Sequence, residues 1–207
     1  MIQNMLQAPV ALVIFILTII TSIRALNQPV FRDKLIFNPV LVSERKEYYR
    51  LFTSGLIHGD YYHLIFNMLA YFFFAFSMEL MIGHWQFAFL YIASLLVADI
   101  PTLIRHEGNI IYRTLGASGA ISGVFAGYIL FNPSASLTFI FFPFISFPAW
   151  LLGLGFIIYS FYASFSGTHH RINHDAHLWG ALAGIVFTVI LAPEAAENLV
   201  NFVSSAF

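Results

Sequence analysis

The sequence contains no cysteine and has very little charge. Without cysteine, the chain can form no disulfide, no thiolate-bound zinc site and no cysteine nucleophile. Charged residues occupy only 9% of the 207 positions, whereas about 25% is usual in soluble domains. The net charge is −1 and no basic run is present, so we expect no nucleic-acid partner. Apolar residues make up 59% of the chain, which predicts an integral membrane protein.

Six apolar stretches approach the roughly 20 residues that a helix needs to cross a bilayer. They lie at about 8–26, 61–82, 85–104, 117–131, 149–165 and 176–192. The first lacks a basic region before it and is interpreted as a retained span. The six spans predict an all-α, polytopic bundle forming one domain over residues 1–207.

Two connections hold more apolar residues than a solvated loop would need. The segment 27–60 combines charges with apolar residues, and we expect it to fold back on the bundle as a partly embedded first loop. The aromatic segment 136–148 is expected to be either an interfacial segment or an irregular start of the fifth span.

The direction of the spans brings distant polar residues to one face. Spans 2, 4 and 6 run the same way, so their N-terminal ends share a face with the loops 27–60, 105–116 and 166–175. Near these ends lie His63 and Asn67, Ser118, and His177. Polar side chains inside a membrane are costly, so these residues are candidates for function.

Ser118 and His177 are the candidates for nucleophilic catalysis. Ser118 lies at the predicted start of span 4, where free N–H groups would favour a developing oxyanion. The alternative is that Ser118 merely continues a small-residue packing ridge. His177 shares a helical face with Gly180 and Gly184. If that face packs on the glycines of span 4, His177 could reach Ser118 as a general base.

His63 and Asn67 are four residues apart and share one face of span 2, which suits an oxyanion hole. They could instead pair with each other or with a neighbouring helix. Elsewhere, Asp99 could pair with Arg105 or Arg50 or could orient a histidine, and a structural ion pair is favoured. Arg50 could also anchor the first loop by binding carbonyls or lipid phosphate, and Glu79 is interpreted as structural.

A histidine cluster offers a different class of function. His169, His170, His174 and His177 lie within nine residues, and such clusters can bind metals. The cluster would give a histidine-ligated membrane metalloenzyme. Carboxylate ligands are scarce nearby and no second histidine motif accompanies it, so this alternative is less favoured.

The combined motifs resemble the rhomboid family of intramembrane serine proteases. They are GASG around Ser118, AHLWGALAG around His177, HLIFN from His63, YRLFT from Tyr49, and an ExxxG segment from Glu79. The resemblance implies a six-helix rhomboid-like bundle in a bacterial inner membrane and hydrolysis of single-span transmembrane substrates within the lipid. It implies no metal and no other cofactor. A non-catalytic rhomboid-like protein that binds transmembrane clients is the alternative within the family.

The resemblance also implies roles for individual residues. Ser118 and His177 would form the catalytic dyad, and the Ser118 N–H with the His63 and Asn67 side chains would hold the oxyanion. Phe66 would be the substrate gate between spans 2 and 5. The residues implied to lie near the site are Gly116, Gly119, Ser122, His58 and Gly180.

Two features depart from the family pattern. Rhomboids often carry an aromatic residue four positions after the nucleophile, stacked on the histidine, but here that residue is Ser122. Another ring, such as Phe125 or Trp179, could replace it, or His177 could be held less firmly. All nine Lys and Arg lie on or near the face of loops 1, 3 and 5, which the positive-inside rule would make cytoplasmic. Related bacterial proteases open their site to the outside, and we follow the family.

Overall fold

The computed structural model describes residues 2–139, 142–165 and 173–206, and they are mostly helical. The helices are α1 (Ile2–Gln7), α2 (Pro9–Asn27), α3 (Pro29–Leu35), α4 (Pro39–Ser43), α5 (Arg50–Thr53), α6 (Tyr61–Ile82), α7 (His84–Arg105), α8 (Ser118–Phe131), α9 (Ala149–Phe165), α10 (His174–Leu191) and α11 (Glu194–Ala206). A 3₁₀ turn, Ser54–Leu56, follows α5, and two strands, β1 (Ser136–Phe139) and β2 (Phe142–Pro148), separate α8 from α9.

Within the described part of the chain, four helices are long and apolar enough to cross a membrane: α2, α6, α7 and α10. Helices α8 and α9 are apolar but shorter, with 14 and 17 residues. At 1.5 Å per residue α8 spans only about 21 Å. The helix bounds follow the six predicted stretches to within two residues at each end.

Helix α8 occupies the centre of the bundle, and its small residues allow this. A Cβ at Gly180 of α10 would overlap the carbonyl oxygen of Gly119, and one at Gly184 would overlap the backbone of Gly123. Helix α7 also packs closely against α8, because a Cβ at Gly119 would lie 2.6 Å from the Ala98 Cβ of α7. The glycine faces of the fourth and sixth predicted spans therefore meet, as their spacing indicates.

The end of the bundle away from the predicted site is fixed by one buried carboxylate. Glu79, near the end of α6, accepts hydrogen bonds from the backbone N–H groups of Val10 (3.1 Å) and Ala11 (2.5 Å). These N–H groups lie in the first turn of α2, where no helical carbonyl is available. His84 Nδ1 lies 2.5 Å from the same carboxylate. Glu79 is therefore structural, as predicted.

The first loop folds back on the bundle, as its apolar residues predict. Phe37 and Ile57 are fully buried. Arg50 Nη1 donates to the carbonyl oxygens of Asp33 (2.9 Å) and Ile36 (2.8 Å), so this side chain anchors the loop. Phe37 also forms an isolated antiparallel bridge with Thr114. The bridge joins the first loop to the segment that leads into α8.

The prediction of an all-α chain is wrong in one segment. Residues 136–148 contain the antiparallel hairpin of β1 and β2, in which Ser136 pairs with Pro148 and Leu137 with Phe147. Aromatic and branched residues favour strands, and the run is too short to form a span. The hairpin rules out an irregular helix start here, and the interfacial position of this segment stays a prediction.

Candidate active site

A cavity of about 1570 Å³ collects the residues that the sequence singled out. It lies among α6, α8, α9 and α10 and reaches the loops at the N-terminal ends of α6 and α8. The predicted residues that line it are Ser118, His177, His63, Asn67, Phe66, Gly116, Gly119 and Ser122. Gly180 and His58 do not line the cavity but adjoin residues that do, since Gly180 packs on Gly119 and His58 lies next to Gly116.

Ser118 begins α8 and is half-buried at the cavity wall. The turn before it requires glycine, because Gly116 has a φ of +122°. The Gly116 N–H donates to the Ser54 carbonyl (2.9 Å), which ties this turn to the first loop. The first-turn N–H groups of a helix have no helical acceptor, so this end of α8 presents donors beside the Ser118 hydroxyl.

His58 lies next to this turn and stabilises it. It is fully buried, with Nδ1 2.9 Å from Ser22 Oγ. The Ser22 hydroxyl donates to the Leu56 carbonyl (3.0 Å), so it accepts a proton from Nδ1, and Nε2 is left as the acceptor for the Ala117 N–H at 3.5 Å. Burial, helped by the nearby His63 ring, lowers the pKa of His58 to about 3. His58 is therefore neutral and structural beside the site.

His63 and Asn67 line the cavity on the side of α6. The His63 ring stands edge-on to His58, with centroids 4.9 Å apart. It also fills the space at Gly116, where a Cβ would lie 2.8 Å from His63 Cε1. Asn67 Nδ2 donates to the His63 carbonyl (3.0 Å), which uses one of its two amide protons. The second amide proton is available to a ligand in the cavity.

His177 lies in the first turn of α10 and is half-buried. No hydrogen bond joins it to Ser118 in the described part of the chain, and the dyad stays a prediction. The two residues line one cavity, and their neighbours Gly119 and Ala176 are in contact, since a Cβ at Gly119 would lie 3.4 Å from the Ala176 carbonyl oxygen.

The ring beside His177 is Phe156 of α9, which the sequence did not indicate. Its centroid lies 5.9 Å from that of His177, with 28° between the planes. Phe125 contacts Phe156 rather than the histidine, and Trp179 is 43% exposed. The expectation that Phe125 or Trp179 fills this place is therefore wrong. No spacing rule could have found Phe156, because the contact depends on how α9 is rotated against α10.

Phe66 lies on the α6 wall of the cavity and is half-exposed. The opposite wall is formed by α9 through Leu151, Leu152, Gly155 and Phe156. Helix α9 packs against α10 and α8. Residues of α6 and α9 thus line the same cavity, and the role of Phe66 as a gate stays a prediction.

Comparison with known proteins identifies the family. Residues 45–194 match the family described as Rhomboid domain. The chain belongs to the rhomboid family. It is an integral membrane protein, as the apolar helices of this rhomboid also indicate.

Three relatives align with this rhomboid. The Bacillus subtilis protein named "Putative rhomboid protease YdcA" is 29% identical over 149 residues, which cover 70% of this chain and 67% of the relative. "RHOMBOID-like protein 12, mitochondrial" of Arabidopsis thaliana is 30% identical in an alignment that covers 76% of this chain and 52% of the relative. "Rhomboid protein 1, mitochondrial" of Saccharomyces cerevisiae is 30% identical in an alignment that covers 65% of this chain and 39% of the relative. This chain thus spans about half or less of the two mitochondrial relatives.

The expected pairing of Asp99 with Arg105 or Arg50 is wrong. Arg105 Nη1 lies 2.5 Å from Asp175 Oδ2, and Arg50 Nε lies 2.6 Å from Glu47 Oε2. Asp99 lines the cavity, and its buried Oδ2 has no hydrogen-bond partner among the described residues. Arg105 reaches past the end of α7 to the start of α10, a contact that spacing along α7 does not reveal.

The metal-binding alternative rests partly on His169 and His170, which lie outside the described residues. Of the other two histidines, His174 and His177 stand edge to face, with centroids 5.9 Å apart. Among the described residues, no group of three or more His, Cys, Asp or Glu is placed to hold a metal ion.

Proposed function

We propose that this rhomboid is an intramembrane serine endopeptidase in which Ser118 is the nucleophile and His177 the general base. The observation that carries the proposal is the shared cavity, which Ser118, His177, His63 and Asn67 all line. Family membership and the Bacillus subtilis relative named as a protease add support. The proposed enzyme needs no metal and no other cofactor.

In the proposed reaction, His177 takes the proton of Ser118 as Oγ attacks the scissile carbonyl carbon. The carbonyl oxygen becomes an oxyanion that accepts hydrogen bonds from the Ser118 N–H, the His63 ring and the free amide proton of Asn67. His177 then passes its proton to the leaving amine as the peptide bond breaks. Water, activated by the same histidine, attacks the ester and releases the second product.

The proposed substrates are single-span membrane proteins. A transmembrane segment would approach between α6 and α9, with Phe66 as the gate, because the cavity separates these helices. We propose further that the six apolar helices all cross the membrane as one domain over residues 1–207, with lipid around them. The proposed location is a bacterial inner membrane.

The experiment is labelling with a fluorophosphonate probe in detergent. Wild type is expected to be labelled, whereas Ser118→Ala removes the attacking oxygen and His177→Ala removes its base, so neither variant should react. Ser160→Ala, which removes a buried serine of α9 away from the cavity lining, is the matched control and should be labelled like wild type. Labelling of folded Ser118→Ala at the wild-type level would contradict the proposal.

A non-catalytic, client-binding rhomboid is the second candidate. The absence of a hydrogen bond between Ser118 and His177, both described residues, is the observation that favours it. It predicts capture of a transmembrane client without cleavage, with the same affinity in Ser118→Ala. Cleavage of that client by wild type alone would exclude it.

A further inference from the structure

The side chain that flanks His177 belongs to a different helix from the nucleophile. Ser122, one turn beyond Ser118 on α8, donates its hydroxyl to the Ser118 carbonyl (2.7 Å) and presents no ring to the histidine. Phe156 of α9 supplies the ring instead. Its separation of 5.9 Å and its tilt of 28° fall within the range of offset-stacked pairs.

Phe156 is itself held by a row of aromatic contacts. Phe125 of α8 stands edge-on to Phe156, with centroids 5.7 Å apart, and Phe74 of α6 lies 4.9 Å from Phe125. The His177 ring also stands edge-on to His174, which in turn stands edge-on to Tyr159 of α9 at 5.4 Å. Two ring contacts therefore link His177 to α9, one directly and one through His174.

A histidine that acts as a base needs a neighbour that fixes its orientation. In the described part of the chain, no carboxylate forms a hydrogen bond with His177. The Phe156 ring provides a flat surface that limits rotation of the imidazole about its side-chain bonds. Proton transfer needs close alignment of donor and acceptor, so a misaligned base lowers the reaction rate.

We propose that Phe156 is a positioning residue for His177, so that α9 controls the alignment of the catalytic base. The inference rests on the proposed function. Because α9 is also the wall opposite Phe66, a substrate segment that enters between α6 and α9 would contact the helix that holds His177 in place. The neighbouring Gly155 has no atom within 4 Å of its Cβ position, so this part of α9 borders open space.

The first test compares the rates of fluorophosphonate labelling in three variants. Phe156→Leu keeps an apolar side chain but removes the ring, and we expect labelling about tenfold slower, the loss of one aromatic pair. Phe156→Tyr keeps the ring and should react at close to the wild-type rate. Phe161→Leu changes an exposed phenylalanine of the same helix and is the matched control. Thermal unfolding of each variant verifies that it is folded.

Relocation of the ring sharpens the test. Ser122 lines the same cavity, so Ser122→Tyr combined with Phe156→Leu should restore a ring beside His177 and recover most of the labelling rate. A merely structural role of Phe156 predicts no such rescue. Equal slowing in Phe156→Leu and Phe156→Tyr, or a wild-type rate in Phe156→Leu, would overturn the proposal.

The stacking can be measured without any activity. In protein labelled with ¹⁵N-histidine, the His177 ring signals are assigned by their loss in His177→Gln, and they should shift in Phe156→Leu as the ring current disappears. The same signals should hardly move in Phe161→Leu. A shift in Phe156→Leu with no labelling of wild type would leave the contact standing but refute the proposed protease, and with it the positioning role. No shift would refute the contact itself.

Discussion

The two sides of α8 differ in how much space they leave. Against α10, glycine faces backbone: Gly180 lies on Gly119 and Gly184 on Gly123, with no room for a single methyl group. Between α6 and α9, by contrast, a cavity of about 1570 Å³ remains. One side is therefore closed to a ligand, and the other could admit a transmembrane segment.

The difference shows how a lipid-embedded site can be both rigid and accessible. Ser118 and His177 lie at the ends of the two helices that are packed most closely, so small movements of the bundle leave their backbones in place. The ring that flanks His177 comes from α9, on the open side. Placement of the backbone and alignment of the base are thus assigned to different parts of the fold.

The largest expected effect comes from adding a methyl group on the closed side of α8, where it packs on α10. In Gly180→Ala, the new Cβ would lie 2.8 Å from the Gly119 carbonyl carbon and closer still to its oxygen. Backbone cannot rotate away as a side chain can, so α8 and α10 must separate, at a cost of about 3 kcal/mol. Thermal unfolding in detergent should show a large drop in midpoint, and probe labelling of the adjacent Ser118 should be lost.

Gly155→Ala on the open side is the matched control. No atom lies within 4 Å of its Cβ position. Alanine is a better helix former than glycine, so stability should rise by about 0.5 to 1 kcal/mol. Similar destabilisation in both variants would mean that the two sides of α8 do not differ in packing.

A smaller effect on stability is expected when the pH falls, because of His58, the buried histidine next to the turn before Ser118. Burial lowers the pKa of His58 to about 3, whereas an unfolded histidine titrates near 6.5. The unfolded state therefore binds more protons between these values, and the stability that neutral His58 contributes above pH 6.5 is lost as the pH falls towards 3. At pH 5, about 1.5 units below the ordinary value, the loss is about 2 kcal/mol.

The measurement compares unfolding midpoints at pH 7 and pH 5. His58→Gln should be less stable at pH 7 but should lose less on acidification than wild type. His106→Gln, in the loop before α8, is the control and should keep most of the wild-type pH dependence. An unchanged pH dependence in His58→Gln would show that His58 does not stay neutral on folding.

Much of this arrangement could be predicted from sequence, because it depends on patterns along single helices. Hydropathy located the six apolar helices, and the direction of the spans placed Ser118, His177 and His63 at one level. The hairpin at 136–148 was not predicted because periodicity alone does not distinguish a short apolar run in a strand from one in a helix. The contacts of Phe156 and Arg105 could not be predicted, because both depend on how neighbouring helices are rotated and packed against each other.

The smallest effect concerns two buried carboxylates near the site. Asp175 has an arginine partner, whereas Asp99 Oδ2 has none among the described residues. A buried polar atom without a partner costs about 1 to 3 kcal/mol, so Asp99→Leu, which leaves no polar atom unpaired and has the cavity beside it, should stabilise the protein by about 1 kcal/mol. Asp175→Asn is the comparison and should destabilise the protein, because it weakens the pair with Arg105. Thermal unfolding of both variants tests this difference in sign. If Asp99→Leu were instead as damaging as Asp175→Asn, the Asp99 carboxyl group would have to bind a partner in the cavity, and the open side would then contain a polar subsite.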